Sequence, residues 1–320
     1  MAIQRILWTL LILCCFANGT SWAMHASLGA GSGHDGPITT IPGTTPPKGT
    51  FAVDINTEYF SYHTFTDREL IAFAQNDKEI HNVDYLLSYA VGMSYGILDN
   101  LTVHARLPYV LRNDIYESEP PDEIHAHGDS RGLGDASIHL HHRIINESES
   151  NFSSSLLFGL KMPTGKTSDK DNDGNKFEAE FQPGSGSWDP SFGLAATKGF
   201  GHLSLDTNIS YTLVTEGTQN TDLGDAFAYN LALAYPVLRN GARLAVILEA
   251  NGIYRQKEEI DGVKDVNSGG NTIFLAPGFR FSLDNRFSAY ASLGFPIVED
   301  LNGDQNETNY RTVFGINVVF

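Results

Sequence analysis

The last strand of the chain restricts the fold more than any other feature. One face of residues 310–320 carries Tyr310, Thr312, Phe314, Ile316, Val318 and Phe320, and the other carries Arg311, Val313, Gly315, Asn317 and Val319. A strand with one apolar face, aromatic near both ends and ending on a phenylalanine, is typical of a wall that has lipid outside and water inside. A soluble sheet would seldom end on a bare aromatic residue.

The N-terminus has the build of a secretory signal peptide, which we assign to residues 1–23. Arg5 precedes an apolar run from Ile6 to Phe16, and Ser21-Trp22-Ala23 offers a cleavage site between small residues. This run is too short to span a bilayer, and no later stretch approaches the roughly 20 apolar residues that a transmembrane helix needs. The protein is therefore either exported and soluble, or it crosses a membrane as strands.

Cysteine and charge exclude several classes of protein. Cys14 and Cys15 both lie in the leader, so the mature chain has neither a disulfide framework nor a thiolate metal site. The formal net charge is −17, and removal of the leader, which contains Arg5 and no acid, makes the mature chain one charge more negative. A nucleic-acid partner is excluded on electrostatic grounds.

A period of two begins at Thr50 and continues to the C-terminus. Residues 24–49 are rich in Gly, Pro and Thr and are expected to form an irregular segment, either a linker or a plug inside the barrel. Residues 50–320 are expected to form the barrel domain. The alternation predicts about twelve strands: 50–62, 82–97, 100–111, 134–146, 152–163, 188–198, 201–214, 224–238, 241–256, 270–282, 285–297 and 308–320.

The connections between these strands alternate in length. Odd-numbered connections such as 63–81, 112–133 and 164–187 are mostly long and polar, whereas even-numbered ones such as Gly199-Phe200-Gly201 are mostly tight turns. One rim then carries the long loops and the other carries hairpin turns, as in bacterial outer-membrane barrels. We therefore predict an all-β fold, a closed antiparallel transmembrane β-barrel, in the outer membrane of a Gram-negative bacterium. Closure is required because an open sheet edge in hydrocarbon would leave backbone amides unpaired.

Five short motifs, in this order and spacing, resemble the outer-membrane β-barrel family named for the MetA pathway of phenol degradation. They are His34-Asp-Gly-Pro-Ile38 with Pro46-Pro-Lys-Gly49, then Gly132-Leu-Gly-Asp135, Leu160-Lys-Met-Pro-Thr-Gly165 and Gly184-Ser-Gly-Ser-Trp-Asp189. The resemblance extends from about residue 34 to the C-terminus. It implies a transporter that passes small solutes, aromatic or apolar among them, across the outer membrane.

Charged and histidine side chains are assigned to the inner face of the barrel. Their mixed signs predict either a polar pathway that filters a solute or ion pairs that fill the interior. The candidate pathway residues are Glu58, His104, Arg106, Asp135, His139, His141, Arg143, Lys161, Arg243, Glu249, Arg280 and Arg311.

Two motifs suggest metal ions. In His139-Leu-His-His142, His139 and His141 share a face, but without a third ligand they form an incomplete site. His125 and His127 in the preceding connection could supplement them. Residues 169–180 match the calcium-loop pattern, with Asp169, Asp171, Asp173 and Glu180 as candidate ligands. No helices are expected to flank this loop, so a solvated acidic loop is the alternative.

We predict passive, selective passage of a small solute, without enzymatic activity and with no required cofactor beyond possible calcium in the acidic loop. The expected partners are outer-membrane lipids, the solute and, through the strand that ends at Phe320, the outer-membrane assembly machinery. A structural or surface-interaction barrel with cation-binding loops is the first alternative. A lipid hydrolase is the second, although no G-x-S-x-G motif is visible and the neighbours of His142 are apolar.

Overall fold

The computed structural model describes residues 36–146, 152–238, 241–284 and 286–320. The predicted signal peptide lies outside the described residues. Within these ranges the chain forms sixteen strands, one α-helix and two short 3-10 helices. The helix α1 spans Asp67–Ala74, and the 3-10 helices span Ala179–Phe181 and Thr218–Asn220.

The strands follow the predicted period of two closely. Their bounds are β1 Phe51–His63, β2 His81–Leu98, β3 Leu101–Glu119, β4 Glu123–Leu133, β5 Ser137–Ile145, β6 Phe152–Lys161, β7 Asp189–Phe200, β8 Leu203–Thr212, β9 Thr221–Asp222, β10 Ala226–Leu238, β11 Ala242–Arg255, β12 Glu259–Ile260, β13 Val263–Lys264, β14 Gly270–Leu283, β15 Phe287–Leu301 and β16 Glu307–Val319.

Twelve of the described strands form one closed antiparallel barrel. Each pairs with its neighbours in the chain, and β16 closes the ring by pairing with β1, for example at Ile316 and Ile55. β4 is not a separate strand of the barrel wall, because it pairs with the outer part of β3, beyond the part of β3 that pairs with β5. The short strands β9, β12 and β13 form a small separate sheet. The predicted barrel is confirmed.

The outer face of the barrel is an apolar belt. On β2, Tyr89, Val91, Met93 and Tyr95 are each between 44% and 50% exposed, while Ala90 between them is buried. A soluble protein would not leave a continuous ring of such residues in water, whereas lipid accepts it. Within the described residues, no helix is long and apolar enough to cross a membrane.

The two rims of the barrel differ as expected. Tight connections such as Asp99-Asn100 between β2 and β3 define what we call the turn end, where β1 begins. The opposite rim, the loop end, carries longer connections, including residues 162–188 between β6 and β7, which we call the mouth loop.

Two connections predicted to be long loops contain regular structure. Most of 112–133 is an extended hairpin, made by the last residues of β3 and by β4. It projects beyond the apolar belt, so both faces are mixed and the alternation on which the prediction relied is missing. The connection 63–81 contains α1, which begins with a capping box between Thr66 and Glu69. The T-x-x-E pattern at residues 66–69 was the sequence signal from which this helix could have been predicted.

The barrel interior holds two apolar clusters at different heights. Near the loop end, Phe177 and Phe181 of the mouth loop pack against Phe60 of β1 and Phe274 of β14. Towards the turn end, Ile38 packs against inward residues of β10, β11, β15 and β16. Chain segments that are not barrel strands therefore enter the barrel from both ends.

Candidate functional site

Charged side chains on the inner wall pair mainly along the wall. Arg311 Nε on β16 lies 2.6 Å from Glu58 Oε1 on the adjacent β1, and both side chains are almost fully buried. The guanidinium also lies over the rings of Phe60 and Phe274. Because the partners sit on neighbouring strands, this pair runs along the wall and does not cross the barrel.

Lys161 is the centre of a second cluster on the wall. Its Nζ lies 2.5 Å from Asp189 Oδ2, on the cross-strand partner residue of β7, and 3.6 Å from Asp135 Oδ2. It also contacts the hydroxyl groups of Ser185 and Ser187. Asp135 in turn accepts hydrogen bonds from the backbone N–H groups of Gly165 and Ser185. One lysine faces two carboxylates here, and the second is also held by the mouth loop.

A third contact joins β1 and β3 across the intervening β2. His104 Nε2 lies 3.4 Å from Asp54 Oδ1, and Gly92 of β2 sits between them. A Cβ atom at Gly92 would lie 2.1 Å from Asp54 Oδ1 and 2.9 Å from His104 Nε2. Glycine is therefore required for this approach of the two side chains.

A cavity of about 180 Å³ lies in the interior beside these clusters. One part of its wall is apolar, with Leu86, Pro108 and Val110 from β2 and β3. Another part is cationic, with Arg106, Lys161 and Arg255. His139, Asp135 and Asp189 complete the polar wall. This lining can contact an apolar body and a polar or anionic group of one small molecule.

The N-terminal segment, residues 36–49, has no helix or strand; residues 36–46 lie inside the barrel, and residues 47–49 are exposed at the turn end. Glu249 of β11, which is fully buried, accepts hydrogen bonds from the backbone N–H groups of Ile38, Thr39 and Thr40 at 3.0–3.1 Å. Three consecutive amides around one carboxylate satisfy both the buried charge and the backbone of a segment that forms no strand.

Further contacts fix the segment to several strands. Arg280 of β14 donates to the carbonyl oxygens of Gly36 at 3.1 Å and of Pro37 at 2.7 Å. The N–H group of Ile41 donates to Asn208, and that of Gly43 donates to Thr197 Oγ1, both at 2.8 Å. These partners lie along one arc of the wall, from β7 to β14, and the segment bound to them narrows the interior near the turn end.

A larger cavity of about 440 Å³ opens at the loop end, and we call it the mouth. Its wall is strongly acidic, with the carboxylates Glu79, Glu117, Glu178, Glu180, Glu258, Asp261, Asp265 and Asp304. Glu258 lies in the connection after β11, outside the apolar belt. Burial raises its pKa well above the usual value, and the charge of Glu180 adds to this effect.

Two histidines that contact Glu117 offset part of this negative charge. Glu117 lies between His127 Nε2, 2.9 Å from its Oε2, and His81 Nε2, 3.4 Å from its Oε1. Burial alone would raise the pKa of Glu117, but hydrogen bonds from the two imidazoles lower it to about 2. The pKa of His127 is raised, first by its hydrogen bond to Glu117. Burial lowers the pKa of His81, but the carboxylates Glu117 and Glu180 outweigh burial and raise it well above the usual value.

The four candidate calcium ligands face different partners. Asp169 accepts from Lys166 Nζ at 2.6 Å and from the N–H group of Arg131 at 2.7 Å. Asp171 faces His127, Asp173 lies 2.9 Å from His125, and Glu180 lies 3.0 Å from His81. The structure therefore distributes these carboxylates along the mouth loop, and calcium binding by them stays a prediction.

The predicted pathway residues face the interior, but at different heights. His104, Arg106, Asp135, His139 and Lys161 are grouped around the 180 Å³ cavity. Glu249 and Arg280 contact the N-terminal segment. Arg143 and Arg243 lie at the turn end, where they donate to the carbonyl oxygens of Asp99 and Asp284. His141 faces inward beside Arg143, and among the described residues it forms no group of three metal ligands with His139. His142, the candidate of the hydrolase hypothesis, lies 3.3 Å from Asn100.

Sequence reasoning missed the cationic and acidic residues supplied by connections. Arg112 and Glu117 belong to the part of β3 that was predicted as loop, and Arg255 and Glu258 lie where β11 ends. Arg112 donates to the carbonyl oxygens of Phe181 and Gln182, so it holds the mouth loop inside the barrel. The inward parity of β3, continued past residue 111, was the signal for Arg112, and the inward parity of β11 was the signal for Arg255. Glu117 follows a bulge after Arg112, and Glu258 follows the end of β11, so parity gave no signal for these two.

Two comparisons place the chain among known proteins. The sequence profile of the family described as "Putative MetA-pathway of phenol degradation" matches residues 34–298. The crystal structure of the COG4313 outer membrane channel from Pseudomonas putida F1 is similar, with a TM-score of 0.62 and 16% identity. The match covers 87% of this chain and 97% of that chain, so the two share their fold. Among curated proteins, none matches this sequence.

Other solved barrels are more distant. The CymD monoaromatic hydrocarbon channel has a TM-score of 0.45 and 9% identity, over 86% of this chain and 89% of that one. The β domain of the Bordetella autotransporter BrkA has a TM-score of 0.45 and 11% identity, over 85% of this chain and 99% of that one. These two similarities are too low to support an argument about function.

Proposed function

Because this chain belongs to the family described as "Putative MetA-pathway of phenol degradation", we propose that it is an outer-membrane channel. A small solute diffuses through this channel passively and selectively. Its barrel sits in the lipid of the outer membrane. The similarity of its fold to an outer membrane channel supports the same proposal. Passage by diffusion requires weak binding sites in series and no catalytic group.

The observation that carries this proposal is the arrangement of the two cavities. The mouth and the 180 Å³ cavity share Glu180 and Glu258 in their walls, so they adjoin each other along the barrel. The proposed route of the solute therefore leads from the mouth into the inner cavity, past charged side chains. Apolar residues of the mouth loop, Phe177 and Phe181, stand beside this route.

The lining of the inner cavity favours a particular class of solute. Leu86, Pro108 and Val110 offer contacts for an apolar or aromatic body, and Arg106 and Lys161 offer hydrogen bonds to a polar or anionic substituent. A cavity of about 180 Å³ suits one ring rather than an oligosaccharide. We therefore expect a small monocyclic aromatic solute with a hydroxyl or carboxylate group.

The N-terminal segment acts as the inner constriction of the proposed route. It is held by hydrogen bonds to side chains and not by strand pairing, so it can shift without opening the barrel wall. Diffusion past it sets an upper limit on solute size. Deleting residues 37–47 should enlarge the pore and reduce the selectivity of the channel.

Interaction with the outer-membrane assembly machinery is the remaining part of the proposal. The final strand presents Phe314, Ile316 and Phe320 on its outer face, and Phe320 is 73% exposed. An exposed apolar terminal strand is available for recognition before the barrel closes. Substituting Phe320 with Ser should reduce the yield of folded barrel in the outer membrane without changing the flux per folded molecule.

A liposome-swelling panel tests the function directly. We expect benzoate and 4-hydroxybenzoate to enter faster than a sugar of similar mass, and the 37–47 deletion to narrow that difference. Lack of entry for every solute, in both forms, would favour the structural or surface-interaction barrel. Release of fatty acid from the liposomes would favour the lipid hydrolase.

A further inference from the structure

Three side chains beside the mouth have the composition of a transition-metal site. His125 and His127 are two residues apart on β4, so their rings share one face, and the ring centroids are 4.5 Å apart. Asp171 of the mouth loop joins them. One possible ligand atom from each residue lies within 4.8 Å of the other two. Bonds of about 2.0–2.2 Å to an ion are therefore reached by side-chain movement alone.

The mouth loop fixes Asp171 in an orientation that directs one carboxylate oxygen towards His127. Its Oδ1 accepts hydrogen bonds from the N–H groups of Asp173 at 3.0 Å and Asn175 at 2.7 Å. Its Oδ2 faces Nδ1 of His127 at 3.5 Å. The N–H group of Asn172 also donates to the carbonyl oxygen of His127 at 2.9 Å, which anchors the loop on β4. The carboxylate is thus held in place by backbone groups.

Glu117 supplies the orientation of His127. Its Oε2 lies 2.9 Å from Nε2 of His127, the ring nitrogen that faces away from Asp171. Metal-bound histidines commonly donate their second N–H group to a carboxylate, which fixes the ring and increases its basicity. Nδ1 of His127 is then the nitrogen that is directed towards Asp171 and an ion.

We propose that His125, His127 and Asp171 bind one divalent transition-metal ion, such as Zn²⁺, beside the mouth, with Glu117 as the positioning residue. Two imidazole nitrogens and one carboxylate oxygen suit zinc, copper, nickel or iron, whereas calcium and magnesium require oxygen ligands. The three ligands are only half-buried, so an ion can enter from outside and a water molecule can complete its coordination.

Binding at this position would tie two elements together. His125 and His127 belong to β4, and Asp171 belongs to the mouth loop, which also carries Phe177 and Phe181 into the barrel. An ion would therefore restrict movement of the mouth loop at the outer opening. This inference does not depend on solute passage, because both binding and loop movement can be measured on the closed barrel.

Calorimetry of the purified mature barrel in detergent with zinc chloride tests the binding. We expect one site, lost in the His125→Gln/His127→Gln variant and weakened about 10–100-fold in Glu117→Gln. The control variant is His142→Gln/His202→Gln, which removes two histidines from the turn end and should bind zinc as the parent does. A shift in electrophoretic mobility on heating shows that each variant has folded.

Trypsin cleavage provides a second readout of the same site. Lys170 and Lys176 flank Asp171 in the mouth loop and are accessible to the protease. Zinc should slow cleavage at these two lysines in the parent and in the control variant, but not in His125→Gln/His127→Gln.

Four outcomes would overturn the proposal. The first is absence of zinc binding by the parent, and the second is unchanged binding by the His125→Gln/His127→Gln variant. The third is loss of the site in His81→Gln while the His125→Gln/His127→Gln variant keeps it. The fourth is calcium binding as tight as zinc binding. The His81→Gln outcome would assign the ion to the neighbouring group of His81, Glu178 and Glu180.

Discussion

Glu249 holds Thr39 with both oxygens of its carboxylate. The backbone N–H group of Thr39 lies 3.1 Å from Oε1 and 3.0 Å from Oε2, and Ile38 and Thr40 donate to the same group. A single side chain of the barrel wall therefore determines where the N-terminal segment lies.

Removing this carboxylate should release the segment. Each hydrogen bond to a charged group contributes about 1.5–3 kcal/mol. Losing even one therefore lowers the equilibrium constant for docking of the segment more than tenfold. We expect Glu249→Ala to have a higher single-channel conductance in planar bilayers. Asp54→Ala is the control, since it also removes a buried inward carboxylate but does not contact residues 36–49. Equal changes in both variants would assign the effect to charge and not to the segment.

The pair of Glu58 and Arg311 should stabilise the folded barrel only as a pair. Replacing one partner of a buried ion pair leaves an uncompensated charge and costs about 3–5 kcal/mol. We expect Glu58→Gln to lower the free energy of unfolding by that amount in urea titrations in detergent. The double variant Glu58→Gln/Arg311→Met should recover most of the loss. A double variant that is less stable than Glu58→Gln would contradict this account.

Replacing either of two strand glycines by alanine should have different effects on the stability of the barrel. At Gly92 the added Cβ atom would overlap the carboxylate of Asp54, whereas at Gly294 the nearest atoms lie 3.5 Å away, an ordinary contact distance. Overpacking typically costs about 1–3 kcal/mol, so Gly92→Ala should lower the unfolding midpoint. Gly294→Ala should be neutral or slightly stabilising, because alanine restricts the unfolded chain. An unchanged unfolding midpoint in both variants would contradict this prediction, because it would mean that Asp54 and His104 can move apart without loss of stability.

Lys161 should influence the charge selectivity of the proposed channel. Its ammonium group offsets one of the two negative charges of Asp189 and Asp135 at the inner cavity, so its removal makes this cluster one charge more negative. We expect Lys161→Met to shift the reversal potential towards cation selectivity in a salt gradient and to slow benzoate entry. Lys48→Met, at an exposed position of the N-terminal segment, is the control. A shift of equal size in the control would remove Lys161 from the pathway.

The barrel itself could be predicted because lipid imposes a simple pattern. Every membrane-spanning strand needs an apolar outer face, so the predicted strand 82–97 corresponds to β2 within one residue at either end. The alternation fails where the strands leave the lipid. For that reason β4 and the outer part of β3 were not recognised, although they carry His125, His127 and Glu117.

The inward direction of single charges could also be predicted, but their partners could not. Parity alone places Glu58 and Arg311 inside the barrel, and their contact depends on the register between β1 and β16. The contacts of Glu249 depend on where an irregular segment lies, which has no periodicity to interpret. Likewise, the acidic motif at residues 169–180 indicated cation ligands, but only the docking of the mouth loop on β4 brings Asp171 to the histidines.

The seam between β1 and β16 has a consequence for biogenesis. Glu58 and Arg311 meet across it although they are 253 positions apart in the chain, and the N–H group of Phe320 donates to the carbonyl oxygen of Phe51. No partial product of synthesis can form this joint, so one edge of β1 stays unpaired until β16 has been made. A chain that pairs its strands before β16 is complete therefore exposes an open sheet edge, and protection of that edge from aggregation is a requirement set by the topology of the protein.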